Sequence, residues 1–229
     1  MVFYAIWRAI YNGENIFAGI AYEQIITYMI LARLLYHLCS WGINAEISKI
    51  IKNGDIIVEL IRPIRFGMQK YFFRLGKFII EITTWVFPIF IISILLGFIQ
   101  MPQIEILGLF IIAVFGAITI AYLIELIVGI LVFYTTSAWG LQCFKQAIMS
   151  LFSGALIPIE VMPVALQNIS NMLPFKSIIY FPVTVFLGNL SINEILQGFS
   201  FQFLWIAILV IIASFIYKMA IRKITVAGG

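Results

Sequence analysis

Few residues in this sequence have side chains that could carry out chemistry, and they are far apart. The 229 residues include one histidine, His37, one aspartate, Asp55, and two cysteines, Cys39 and Cys143. Metal sites need clusters of such ligands, so an ordinary metal site is not expected. The sequence also contains no GxxxxGK[ST] phosphate loop, no HExxH and no GxSxG. It therefore does not support an enzyme, and we expect any energy source to lie on another protein.

The densest group of charges lies in residues 50 to 66, IIKNGDIIVELIRPIRF. Asn53-Gly54 can end one short helix, and Asp55 can cap the next by accepting backbone N–H bonds. Glu59 and Arg62 then share a polar face with Asp55, and Pro63 disfavours helix at the residue before it. The opposite face is apolar and consists of Ile56, Ile57, Leu60, Ile61 and Ile64. The pattern predicts a short amphipathic helix.

Four further ionisable residues, Arg33, His37, Glu81 and Glu125, lie within apolar stretches. Charges are costly in lipid, so such residues usually indicate function. Glu81 lies close enough to a helix end to reach the membrane surface. Two interpretations stay open for Glu125 and Arg33. They form an ion pair facing the interior of a helix bundle, or they line a polar path for a substrate.

The composition shows which solvent surrounds these residues. Hydrophobic residues make up 63% of the sequence and charged residues 10%, and the mean hydropathy is +1.11. A soluble domain carries about 25% charged residues, so this sequence cannot cover itself with a charged surface. We expect an all-α integral membrane protein. Cys39 and Cys143 fall in or beside apolar spans and are expected to be buried small hydrophobes, with no disulfide.

Apolar stretches of spanning length give the expected helices. Four are clear, at 20–41, 78–99, 104–134 and 199–221. Two are weaker, at 1–11, which is short, and at 142–159, which ends in Gly154 and Pro158. The sequence thus predicts about six membrane segments, the first of them short.

The stretch 160–188 is apolar but interrupted. Pro163, Pro174 and Pro182 forbid one continuous helix, and Asn168 and Asn171 add polar breaks. Short helices that dip into the membrane under protein cover satisfy this pattern better than a span. We expect a re-entrant helical hairpin before the last span.

Basic residues set the orientation. Seven lysines and arginines lie in 43–77, and Lys145, Lys218, Arg222 and Lys223 are on the same side if 1–11 is part of a first helix. Only Lys176 falls on the other side. Both termini are therefore expected in the cytoplasm and the hairpin outside. The net charge of +4 is explained by topology and needs no nucleic acid.

Several of these motifs, in this order, resemble the membrane subunit of ABC-2 type transporters. They are YEQIITYMILARLL, IIKNGDIIVELIRPI, LFSGALIPIEVMPVALQNISNMLPFKSIIYFPVTVFLG and the terminal Gly228-Gly229. The likeness covers nearly the whole chain and points to the branch of six-helix permeases with a separately encoded ATPase. Two features depart from the family pattern. The family's first helix begins some tens of residues earlier, so we expect a misassigned start or an incomplete first helix, and Tyr134 stands where tryptophan is usual.

The resemblance implies that residues 1–229 form a single ABC-2 type transmembrane domain. Two identical or related permease chains would form one pathway, and two ATPase subunits carrying ATP and Mg²⁺ would dock beneath them. This chain would bind no cofactor of its own. It would lie in a bacterial or archaeal cell (inner) membrane and work in export.

The resemblance also gives roles to residues. The segment 43–77 would couple to the ATPase, through Asn53, Gly54, Asp55, Glu59, Leu60, Arg62 and Pro63. From the residues themselves, Arg33 and Glu125 are candidates for a substrate path, and the stretch with Gly154, Pro158, Pro174, Phe175 and Pro182 is expected to close the exit at the outer face.

Other functions remain open from the residues alone. The amphipathic helix would also suit a lipid surface. The whole chain would also suit a non-transporting membrane scaffold, a channel or a secondary transporter. A secondary transporter would show broken helices in both halves, whereas this sequence has one broken region, 160–188. An ATPase gene beside this one would favour the ABC permease.

Overall fold

The structure is a computed structural model that describes residues 16–17, 20–40, 44–53, 55, 59, 66–135 and 138–222. These residues are helical apart from connections and one two-residue antiparallel pair. The pair joins β1 (Ile16–Phe17) to β2 (Ile20–Ala21), with Ile16 opposite Ala21. Of the predicted coupling residues, Gly54, Leu60, Arg62 and Pro63 lie outside the described residues, as does the predicted first segment 1–11. The other residues of the predicted apolar face also lie outside them, namely Ile56, Ile57, Ile61 and Ile64.

Nine α-helices are described. They are α1 (Tyr22–Ser40), α2 (Asn44–Lys52), α3 (Phe66–Glu81), α4 (Phe87–Leu95), α5 (Ile104–Leu131), α6 (Ala138–Phe152), α7 (Val164–Met172), α8 (Tyr180–Leu187) and α9 (Ile192–Arg222). A π-helical turn at Ile82–Val86 joins α3 to α4, and short 3₁₀ turns occupy Val132–Tyr134, Ile159–Val161 and Pro174–Ser177.

Among the residues that the structure describes, four stretches are long and apolar enough to cross a membrane, namely Tyr22–Ile50, Phe66–Leu95, Ile104–Leu131 and Ile192–Ile221. They overlap the four clear stretches of the sequence, so the prediction of an all-helical membrane protein is confirmed. The number six stays a prediction. The fifth expected segment is observed as α6, whose 15 residues cover only about 22 Å of a ~30 Å hydrocarbon core.

The second span begins earlier than the predicted residue 78, because helix continues from Phe66 through the basic residues of α3. The π turn stands just before Pro88, which has no N–H to donate and whose ring crowds the preceding turn. Phe87 N–H bonds to the Ile82 carbonyl instead, which widens that turn. One helix thus runs from the basic segment into the apolar core with a local defect at its middle.

The last span also begins before its predicted start, residue 199. Ser191 and Glu194 form a capping box in which the Glu194 carboxylate accepts from Ser191 N–H at 2.7 Å and the Ser191 hydroxyl accepts from Glu194 N–H at 3.4 Å. The cap satisfies free N–H groups at the start of α9. The signal S-x-x-E is present in the sequence and predicts this start.

Helix α5 lies at the centre of the bundle, in contact with α1, α2, α8 and α9. Small residues allow this close approach, since Ala113 and Ala117 are fully buried. Gln202 of α9 donates to the carbonyls of Ala113 and Ser177, both at 3.0 Å. A Cβ at Gly116 would lie 2.5 Å from the Gln202 side-chain oxygen. The amide therefore joins α9 to α5 and to the 3₁₀ turn at Pro174–Ser177.

Candidate functional site

The stretch 160–188, predicted to form a hairpin, contains two short helices, α7 and α8, separated by the 3₁₀ turn at Pro174–Ser177; its re-entrant arrangement stays a prediction. Prolines begin or precede these elements, where a missing N–H does no harm. Pro163 precedes α7, Pro174 opens the 3₁₀ turn, and Pro182 lies buried in the first turn of α8. Phe175 is half-buried and packs against the main apolar core. The prolines therefore divide the chain as their spacing indicates.

Gly154 is the point at which the chain leaves α6 for the hairpin. Its φ is +83°, a left-handed conformation that side chains rarely adopt, and its carbonyl accepts from the Tyr28 hydroxyl at 2.8 Å. Tyr180 N–H donates to the Ser153 carbonyl at 3.0 Å, and Pro158 is fully buried just beyond. The turn at Ser153-Gly154 is thus hydrogen-bonded to α1 through the Gly154 carbonyl and to α8 through the Ser153 carbonyl.

The exposed side of the hairpin carries a small polar group. Lys176 donates to the Asn171 side chain at 2.7 Å and lies 5.2 Å from the centre of the Tyr180 ring. The Tyr180 hydroxyl donates to Glu160. Partial burial lowers the pKa of Lys176, and Glu160 acts in the opposite direction. Burial and the hydrogen bond to Glu160 raise the pKa of Tyr180.

The described coupling residues Asn53, Asp55 and Glu59 follow α2, which packs on the C-terminal half of α5 at Glu125 and Gly129. Helix α8 packs on the N-terminal half of α5, at Phe110 and Ala113. Helix α2 ends at Lys52, and Asn53 N–H bonds to the Lys49 carbonyl at 2.9 Å. Asn53 and Asp55 are exposed, and the Asp55 carbonyl accepts from Glu59 N–H at 3.3 Å, which is the spacing of one helical turn.

Ion pairs connect this region to α3. The buried Lys70 ammonium lies 3.2 Å from Glu46 and 3.6 Å from Glu59, so it joins α2 to the segment that follows it. Arg74, also buried, lies 3.0 Å from Glu81 and donates to the Leu38 carbonyl at the end of α1. These contacts hold α2 and the C-terminal end of α1 against α3, where the second long helix begins.

Glu125 is buried in α5, and its partner differs from the one considered in the sequence. Its carboxylate contacts the Lys145 ammonium of α6, whereas Arg33 is exposed on α1 with its guanidinium 5.7 Å from the centre of the Tyr36 ring. The interpretation in which Glu125 and Arg33 form an ion pair is therefore wrong. The reason is the rotation of α1, which turns leucines to the core and Arg33 away from it. The leucines concerned are Leu31, Leu34, Leu35 and Leu38.

An apolar cleft of about 240 Å³ opens between α1, the α3–α4 helix and α5. It extends from Phe78 past the π turn to Phe90, and it has no polar lining. Such a cleft can hold hydrocarbon but offers no group for chemistry. Neither Arg33 nor Glu125 lines it.

Both cysteines of the chain are free, as expected, but they differ in environment. Cys39 is buried, whereas Cys143 is exposed on α6, so the expectation that Cys143 is buried was wrong. Cys143 lies two residues before Lys145, and α6 buries Lys145 and Met149 on the opposite side. Among the residues that the structure describes, no group of His, Cys, Asp and Glu could hold a metal ion.

Sequence reasoning missed three residues that build this site. They are Lys145, to which the charge pattern gives a role only in topology, and Tyr28 and Asn44, to which no motif gives a role. Lys145 had a signal, because a lone lysine in an apolar stretch must find an acidic partner or reach water. Tyr28 and Asn44 act through hydrogen bonds with residues 126 and 81 positions away, respectively, and no local pattern indicates such contacts.

Comparison with known proteins gives one result that covers the chain. The family described as "ABC-2 family transporter protein" matches residues 1–228. No match was found among curated proteins or among solved structures. The match to the family confirms the resemblance seen in the motifs. Because it extends over nearly the whole chain, this protein belongs to the ABC-2 transporter family and is a membrane permease component of an ABC system.

Proposed function

We propose that this chain forms the substrate pathway of an ATP-driven exporter as a dimer, with ATP and Mg²⁺ bound on separate ATPase subunits. The observation that carries the proposal is the family match over residues 1–228, in a chain whose motifs suit no catalysis of its own. The chain would lie in a bacterial or archaeal cell membrane with both termini in the cytoplasm. The partner permease would be a second copy or a related chain.

Coupling to the ATPase is assigned to the segment around Asn53, Asp55 and Glu59, with Gly54, Leu60, Arg62 and Pro63. Exposure of Asn53 and Asp55 supports the proposal, because a docking surface needs accessible polar groups. The ion pairs of Lys70 support it too, since they would carry a push on this segment into α3. The same segment lying on anionic lipid is the competing possibility.

The outer gate is assigned to Gly154, Pro158 and the hairpin, including Pro174, Phe175 and Pro182. The support is the turn at Ser153-Gly154, whose carbonyls accept from Tyr180 N–H of α8 and from the Tyr28 hydroxyl of α1, respectively. A shift of α1 would be passed to the hairpin through these bonds. Arg33 is assigned to the pathway, because a cation exposed in the middle of a membrane helix needs a polar surrounding that lipid does not provide.

Substitutions in the coupling segment test the proposed function. Asp55→Lys and Arg62→Glu should lower recovery of the ATPase with the purified permease at least several-fold, because each reverses a charge at the docking surface. Glu59→Lys should do the same but also breaks the pair with Lys70. Glu105→Lys makes the same kind of change in the first turn of α5, and should leave ATPase recovery unchanged. Full recovery with all coupling variants would refute ATPase docking at this segment.

The orientation gives a separate prediction. In a Cys143→Ser background, an impermeant thiol reagent added outside should label Asn168→Cys and Asn171→Cys, since both positions are exposed on α7. Asn53→Cys should be labelled only after the membrane is opened. Labelling of Asn168→Cys only from the cytoplasmic side would show that the predicted orientation is wrong.

A further inference from the structure

Three helices meet at the Glu125 carboxylate. One oxygen contacts the Lys145 ammonium of α6, and the other accepts from the backbone N–H of Asn44, the first residue of α2, at 3.3 Å. The side chains of Glu125 and Lys145 are each only 4% exposed. The Asn44 side-chain amide donates to Gln142, one turn before Lys145 on α6. One buried network therefore joins α2, α5 and α6.

The position of the carboxylate suits the start of a helix. The first N–H groups of α2 have no partner within the helix and carry partial positive charge, so an acidic group stabilises them. Glu125 supplies that group from another helix. The Ser48 hydroxyl donates to the Asn44 carbonyl at 2.6 Å. The N-terminus of α2 is thus capped by α5.

Close packing fixes the next turn of α2. Ile47 is fully buried, and a Cβ at Gly129 would lie 3.0 Å from the Cβ of Ile47. Gly129 is one turn after Glu125 on α5, just as Ile47 is about one turn after Asn44. A polar contact and an apolar contact in register leave α2 little freedom to slide along α5.

We infer that Asn44, Glu125 and Lys145 form a latch through which movement of the ATPase-coupling segment is passed to α5 and α6. Helix α2 leads directly to Asn53 and Asp55, so a force on that segment pulls on α2. The latch makes α2, α5 and α6 move as one body. Glu125 is then a positioning residue and does not contact the cargo. This inference rests on the proposed coupling to an ATPase.

The test measures distances between spin labels in the complex of permease and ATPase, with Cys39→Ala and Cys143→Ser as background. One pair joins Lys49→Cys on α2 to Phe144→Cys on α6, and the second joins Phe144→Cys to Leu95→Cys on α4; all three positions are exposed. Each pair is measured without nucleotide and after trapping with ATP and vanadate. The latch predicts one narrow, unchanged distance for the first pair and a shift for the second.

Variants show whether the latch causes this behaviour. Glu125→Leu with Lys145→Met removes both charges and leaves no buried ion, so it should fold, but the Lys49–Phe144 distance should broaden and shift with nucleotide. Glu125→Gln with Lys145→Met keeps an acceptor for Asn44 N–H and should broaden it less. A shift in the original protein, or an unchanged narrow distance in the Leu–Met variant, would overturn the inference. If the Phe144–Leu95 distance does not change when nucleotide is trapped, the proposed function is contradicted, and so is the latch.

Discussion

Lys145→Met should destabilise the protein by about 3–5 kcal/mol, because it leaves the Glu125 carboxylate buried without a cation. The expected result is a marked drop in the amount of folded protein in the membrane and in its melting temperature in detergent. Glu125→Gln in the same chain should recover most of the loss, since the pair is then replaced by two neutral groups.

Lys77→Met is the matched control for this experiment. Lys77→Met also removes a cation from a carboxylate, because the Lys77 ammonium lies 3.6 Å from Glu46. The Lys77 side chain, however, is 50% exposed. Exposed pairs contribute about 0–1 kcal/mol, so the melting temperature should hardly change. Equal losses for Lys145→Met and Lys77→Met would contradict a buried pair.

Gly154→Ala should destabilise the protein by about 2–5 kcal/mol through two additive effects. A side chain at φ +83° is strained by about 1–2 kcal/mol, and its Cβ would lie 2.5 Å from the Tyr28 hydroxyl oxygen, a further overpacking cost of about 1–3 kcal/mol. Thermal unfolding in detergent measures the sum.

Two variants separate the effects at Gly154. Gly97 has φ +74° with open space around it, so Gly97→Ala should show the backbone strain alone. Tyr28→Phe combined with Gly154→Ala removes the hydroxyl and should recover part of the steric cost, although it also loses the hydrogen bond to the Gly154 carbonyl. Equal melting temperatures for Gly154→Ala and Gly97→Ala would mean that Tyr28 does not restrict this turn.

Composition and local signals predict most of the helical architecture. Runs of apolar residues place the four long helices, and prolines divide 160–188 into short helices. The predicted starts of the helices are less accurate. The capping box at Ser191 is a readable sequence signal for the start of α9, whereas the start of α3 at Phe66 is obscured because α3 combines basic residues with large apolar ones.

The partners within the site were harder to predict, for a physical reason. Burial of Glu125 follows from the apolar sequence around it, but its choice of partner depends on how α1 and α6 are rotated. The leucines at 31, 34, 35 and 38 recur at helical spacing and point to a core face that excludes Arg33. Contacts such as Tyr28 with Gly154 depend on tertiary packing, which one sequence does not reveal.

The central claim is that this chain works with an ATPase, and purification of both together tests it most directly. The permease is tagged, co-expressed with ABC ATPase subunits from the same genome, and isolated from membranes. We predict that the ATPase remains bound through purification and hydrolyses ATP in the complex, and that Asp55→Lys loses it while Glu105→Lys retains it. A correctly inserted permease that purifies without any ATPase would contradict the account.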